Sequence, residues 1–133
     1  MNGGGRKTTR RRAEARGRRA EWIAALWLRL KGYRILARRC RTRFGELDLI
    51  ARRGRVLAFI EVKQRGDIRA AAFALSPRQR GRLVRAAAVW RARNPRHARL
   101  QPRFDLVILS PGRWPAHHRG AWRPEGREAA DLS

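Results

Sequence analysis

A single cysteine, Cys40, stands in 133 residues. No disulfide can close within the chain, which fits a reducing cytosol. No apolar run approaches the ~18–20 residues that a bilayer span requires, because arginine interrupts every stretch. Residues 1–19 are basic but hold no apolar core ahead of a cleavage site, so they do not read as a secretory signal, and the cytoplasm is the expected location. Internal repeats, a Walker A loop and a dinucleotide-binding glycine pattern are all missing. No paired His or Cys set resembles a zinc site; His117 and His118 adjoin but have no further ligand nearby in sequence.

Acid is scarce too. Ten Asp and Glu face 34 Lys and Arg, giving a net charge of +24 and a pI near 12.0. Such an excess points to a polyanion, nucleic acid ahead of an anionic membrane surface, and no membrane partner is expected. Part of the excess also fits a GC-rich genome, which favours arginine codons. Lysine occurs only at Lys7, Lys31 and Lys63. In a chain that otherwise writes arginine, a lysine within a strand suggests that a compact point charge is wanted there.

What is present amounts to about one domain. Residues 1–16 hold Gly3-Gly4-Gly5 and Arg10-Arg11-Arg12 and read as a disordered basic arm. From about Gly17 to Lys31, Ala20, Ile23, Ala24, Trp27 and Leu30 recur at helical spacing, and Gly32 reads as the residue that ends the helix. Glu21 lies at the edge of that stripe. It serves either as a first-turn acid complementing the helix dipole or an arginine, or as a site residue. Tyr33–Arg39 alternates as a strand near a sheet edge. Ser76-Pro77 reads as a helix start, the helix reaching about Arg93 with Leu83, Ala86, Ala87 and Trp90 on its apolar face. Its crowded arginines, Arg78, Arg82 and Arg85 among them, suit a phosphate-facing surface. Phe104–Leu109 is a strand covered on both faces; its Asp105 is either a site carboxylate or a partner of Arg103, the latter preferred. Residues 111–133 read as an irregular tail.

The informative stretch is Gly45–Arg65. It reads as two strands, about 45–52 and 55–64, joined by a turn at Arg53-Gly54. With those two residues central, Arg52 pairs with Arg55, Glu46 faces Glu61 and Asp48 faces Phe59. Glu46, Asp48, Glu61 and Lys63 then share one face. Facing carboxylates repel unless a cation lies between them. A divalent metal would serve; so would Lys63 or nearby arginines.

The ordered set Gly-Arg-Arg-Ala-Glu at 17–21, Gly-Tyr-Arg-Ile-Leu at 32–36, Gly-Glu-Leu-Asp-Leu-Ile at 45–50, Phe-Ile-Glu-Val-Lys-Gln-Arg at 59–65, Leu-Ser-Pro-Arg at 75–78 and Arg-Phe-Asp-Leu-Val at 103–107 resembles the YraN family of uncharacterised bacterial proteins. That family looks like the restriction-endonuclease fold with an Asp…Glu-x-Lys motif, and within it like archaeal Holliday junction resolvases. The resemblance covers about residues 17–110. It implies an α/β fold with a mixed sheet of four or five strands flanked by helices, and metal-dependent hydrolysis of DNA phosphodiester bonds, branched DNA included. It implies that Asp48 and Glu61 ligate Mg²⁺ or Mn²⁺ with the Val62 carbonyl, that Lys63 activates water, and that Glu21 is the helix acid beside the metal. Glu46 and Gln64 would support the set, and Arg65, Arg78, Arg82 and Arg85 would meet nucleic acid. A junction substrate would imply a homodimer, since two nicks need two sites related by symmetry. Gln79 stands near where the family usually has a lysine. The alternative is a protein that binds DNA or RNA with little or no catalysis.

Overall fold

Alternating and continuous apolar runs in the chain become five strands of one sheet. The computed structural model describes residues 3–64 and 75–124, with the side chains of the first helix described from Gly17 onward. The order is α1 (Gly3–Leu30), β1 (Arg34–Thr42), β2 (Gly45–Arg53), β3 (Val56–Gln64), α2 (Pro77–Arg93), a 3-10 turn (Pro95–His97), β4 (Gln101–Leu109) and β5 (Ala116–Trp122). The strands lie in the order β1-β2-β3-β4-β5. Neighbours are antiparallel except β3 and β4, which are parallel. The α2 connection makes that parallel pairing possible, since two parallel neighbours need a long crossover. The result is a mixed α/β fold, an open five-stranded sheet between helices, consistent with a restriction-endonuclease-like core.

Each helix covers one sheet face. Val84, Ala86, Ala87 and Trp90 of α2 pack with Ile50, Leu57, Phe59, Phe104 and Leu106. Ala24, Ala25 and Leu28 of α1 pack with Leu49, Ala51, Ala58, Ile60 and Val107. The start of α2 is the expected one: Ser76 Oγ accepts from Gln79 N at 3.2 Å, while Gln79 Oε1 accepts from Ser76 N at 3.3 Å. These reciprocal bonds satisfy two groups that a helix end otherwise leaves open.

Four expectations need correction. First, α1 begins at Gly3 rather than near Gly17, so the stretch assigned to a disordered arm carries helical backbone. Its Arg, Lys and Ala are good helix formers, and no proline occurs before Pro77 to stop the helix. Second, the buried stripe of α1 is Ala20, Glu21, Ala24, Ala25 and Leu28, while Ile23 and Leu30 lie exposed, Leu30 by 75%. Alanines let the helix approach the sheet closely, and the bulkier residues stay outside. Third, the β2–β3 register is shifted by two residues. Arg53 pairs with Val56, and Ile50 rather than Asp48 faces Phe59. Positive φ falls on Gly54 (φ 59), so the turn centres on Gly54-Arg55 and neither turn arginine, Arg53 nor Arg55, takes a conformation that glycine tolerates better. Fourth, residues 116–122 of the expected irregular tail form β5 against β4. Trp122 stacks on Phe104 with ring centroids 4.3 Å apart, which supplies the apolar anchor that the tail otherwise lacks.

Candidate metal centre

The site forms where β2 leaves β3. Their ladder ends at Leu49–Ile60, and the next residues outward are Asp48 and Glu61. Asp48 Oδ2 accepts from Val62 N at 2.9 Å, filling the place of a lost inter-strand bond. A shift of two residues preserves side-chain parity, so Asp48 and Glu61 still meet, now directly across the strands, and they share a hydrogen bond. Lys63, two residues along β3, lies with Nζ 3.6 Å from Glu61 Oε1.

Helix α1 brings the third acid. The rotation of its buried face turns Glu21 inward, 8% exposed. Carboxylate oxygens of Glu21, Glu46 and Asp48 lie within 4.8 Å of one another. Glu46 thus belongs to the acidic cluster itself rather than standing behind it.

Arginine balances part of this charge. Arg39 Nε lies 3.2 Å from Glu21 Oε2 and 3.5 Å from Glu46 Oε1, and Arg41 Nε lies 3.4 Å from Glu46 Oε2. Between the pairs Arg38–Leu49 and Cys40–Leu47, Arg39 falls level with Asp48. Its φ is 52, the one positive value among the described non-glycine residues. Such a conformation costs on the order of 1 kcal/mol, and the two carboxylates that its guanidinium bridges offset that cost. Sequence gave no signal for Arg39, one arginine among many.

The balance is incomplete. Burial, then the nearby Asp48 charge, pushes the Glu61 carboxyl up to about 8 against the pull of Lys63. Burial and Asp48 raise Glu21 to about 6 despite Arg39. Burial raises Asp48 as well, against the hydrogen bond from Val62 N. Four carboxylates are held together with too little positive charge to keep all of them ionised. That donor set, all hard oxygen, fits a divalent cation such as Mg²⁺ or Mn²⁺.

A cleft leads to the cluster from the α2 side. Glu46 and Glu61 line one wall, and Gln79 and Arg82 the other. Gln79, where a lysine was expected from the resemblance, is occupied with the α2 cap. Arg85 lies over the Phe44 ring at 5.5 Å. Arg78 is exposed near the start of α2, and Gln64 ends β3. Arg65 lies outside the described residues.

Asp105 stays apart from the cluster and pairs with Arg103, as preferred from sequence. It is 1% exposed, and its oxygens accept from Arg103 Nε and Nη2 at 2.7 Å and from Gly120 N at 2.9 Å. His117 Nε2 lies 2.8 Å from Asp105 Oδ2, and its Nδ1 lies 2.6 Å from Lys31 Nζ. His117 is therefore committed to a structural network that ties β5 to β4 and to Lys31 in the turn after α1.

Comparison with known proteins places this sequence in a family. The profile of the uncharacterised protein family UPF0102 matches residues 20–109. A UPF0102 protein of Maricaulis maris is 56% identical over 123 residues, 92% of this chain and 96% of the relative. One from Parvibaculum lavamentivorans is 58% identical over 108 residues, 81% of each chain. One from Mesorhizobium japonicum is 50% identical over 114 residues, 86% of this chain and 91% of the relative.

Proposed function

The chain belongs to the uncharacterised protein family UPF0102, the YraN family, and we propose that it hydrolyses phosphodiester bonds in DNA, branched DNA included, with Mg²⁺ or Mn²⁺ at the Glu21–Glu46–Asp48–Glu61 cluster. The observation that carries this reading is the convergence of three carboxylates within 4.8 Å, beside a fourth whose acid form is favoured up to about pH 8. Nothing in folding alone calls for such a cluster, since buried like charges destabilise a protein.

When bound, the metal supplies Lewis acidity, lowering the pKa of water and drawing charge from a phosphate oxygen. The protein does the rest. Asp48 is fixed by Val62 N–H, so it offers a carboxylate in one orientation. Glu61 stands between Asp48 and Lys63 and holds the Lys63 ammonium beside the cluster. There Lys63 orients the attacking water and offsets charge that builds on the phosphate in the transition state. Arg39 and Arg41 hold Glu46 and Glu21 in place. On the α2 wall, Arg82 is positioned to receive the phosphate backbone, with Arg78 and Arg85 extending the basic surface.

A protein that binds DNA or RNA without cutting it is the second reading, favoured by the net charge of +24, which demands no chemistry. Flap, four-way junction, duplex and single-stranded DNA, each incubated with and without Mn²⁺, separate the two. Metal-dependent cutting of at least one substrate supports hydrolysis. Tight binding of all four with none cut would leave the second reading standing.

A further inference from the structure

The exposed side of α1 carries a feature that the acidic cluster does not use. Residue 21 turns inward and residue 22 turns out, so Trp22 leaves 57% of its surface to solvent beside a buried glutamate. A groove between α1 and β1 is lined by Arg18, Glu21, Trp22, Arg38 and Arg39. An exposed indole thus lines the groove together with three arginines, and the buried Glu21 of the proposed metal centre borders it. Arg39 is already anchored by Glu21 and Glu46, so its charge is held beside Glu21 rather than free to swing.

We propose that this groove is a subsite for an unpaired nucleotide, whose base stacks on Trp22 and whose phosphates lie along Arg18, Arg38 and Arg39. The inference rests on the nuclease reading of the cluster and deepens it by naming the substrate class: a flap or single-stranded end rather than intact duplex. The chemistry selects this occupant. A second copy of the chain would bring its own basic excess against these arginines, whereas a nucleic-acid strand brings phosphate. Every base offers a π face to an aromatic ring, but in a duplex that face is covered by its neighbours. A strand entering the groove is led to Glu21, and so to the cluster.

The test is equilibrium binding, by fluorescence anisotropy, of labelled single-stranded oligothymidylate and of a blunt duplex of equal length. It uses the full chain in EDTA at one salt concentration, so that cleavage plays no part. Trp22→Ala should bind the single strand roughly 5- to 150-fold more weakly with duplex affinity unchanged, and Trp22→Phe should recover most of the loss. Because Trp22 is exposed, either substitution should leave the fold intact, checked by circular dichroism. Equal weakening for both ligands, or an unchanged single-strand affinity, would overturn the subsite. So would a Trp22→Ala chain that changes oligomeric state in sedimentation while holding single strands normally, which would make the groove a protein interface. Should the wild type cut no DNA yet show the Trp22-dependent preference, the hydrolytic reading fails alone; should it cut DNA with no such preference, the subsite fails alone.

Discussion

At the residue scale, the buried carboxylates among the described residues are handled in two opposite ways. Asp105 is buried but fully paired. Burial works against its charge, yet hydrogen bonds from His117, Arg103 and Gly120 N–H outweigh it and hold the carboxyl below its ordinary value. A depressed carboxylate contributes stability that is present above the unfolded pKa of about 3.9 and is lost as pH falls through the folded value. Asp105→Asn should therefore cost about 3–5 kcal/mol at pH 7, because it strands Arg103 beside a neutral amide. Denaturant unfolding should show that gap narrowing below about pH 4; a gap that stays constant in acid would assign the loss to packing. The cluster acids behave the other way, raised by burial and by one another. Mn²⁺ at about 100 times its dissociation constant should stabilise the wild type by about 2.7 kcal/mol. Thermal shift assays should show that gain shrinking in Asp48→Asn and Glu61→Gln, with metal-free stability equal to or above that of the wild type. An equal Mn²⁺ gain in all three proteins would place the metal elsewhere.

The element scale shows what sequence could and could not reveal. The α2 start was legible because its signal is local: Ser76, Pro77 and Gln79 satisfy one another within one helical turn. Ser76→Ala should destabilise the protein by about 1 kcal/mol in urea unfolding, and a change within error would mean that tertiary packing alone fixes the helix start. Asp48, Glu61 and Lys63 were legible as polar residues interrupting strand patterns, and their meeting survived a wrong register because the error was an even number of residues. The buried face of α1 was not legible. A hydrophobicity count favours Ile23 and Leu30, whereas close helix–sheet approach selects Ala20, Ala24 and Ala25. Strand β5 was hidden for a related reason. Its inward positions are His117 and Trp122, and His117 reads as an inward residue only once its hydrogen bond to the buried Asp105 is known. Arg39 could not have been singled out at all, since its role depends on a backbone angle that sequence does not display.

For the whole molecule, the arrangement of charge matters more than its sum. Among the described residues, carboxylates are concentrated where β2 and β3 part, and arginines surround them on α1, β1 and α2. On the proposed reading, a phosphodiester would be attracted by the surrounding arginines and would meet the acidic cluster, where a cation would reconcile the two. Affinity for any DNA should fall steeply with salt, log K decreasing linearly with log salt at a slope of about −0.9 per neutralised phosphate in duplex. Filter binding should give the same slope for Asp48→Ala as for the wild type, because Asp48 takes no part in counterion release; a markedly different slope would mean that the cluster itself governs docking. The most direct measurement of the central claim is single-turnover cleavage of a DNA panel in Mn²⁺ by wild type, Asp48→Ala and Lys63→Ala purified identically. The account predicts cutting by the wild type alone, with DNA affinity retained in both variants; equal cutting by all three would contradict it.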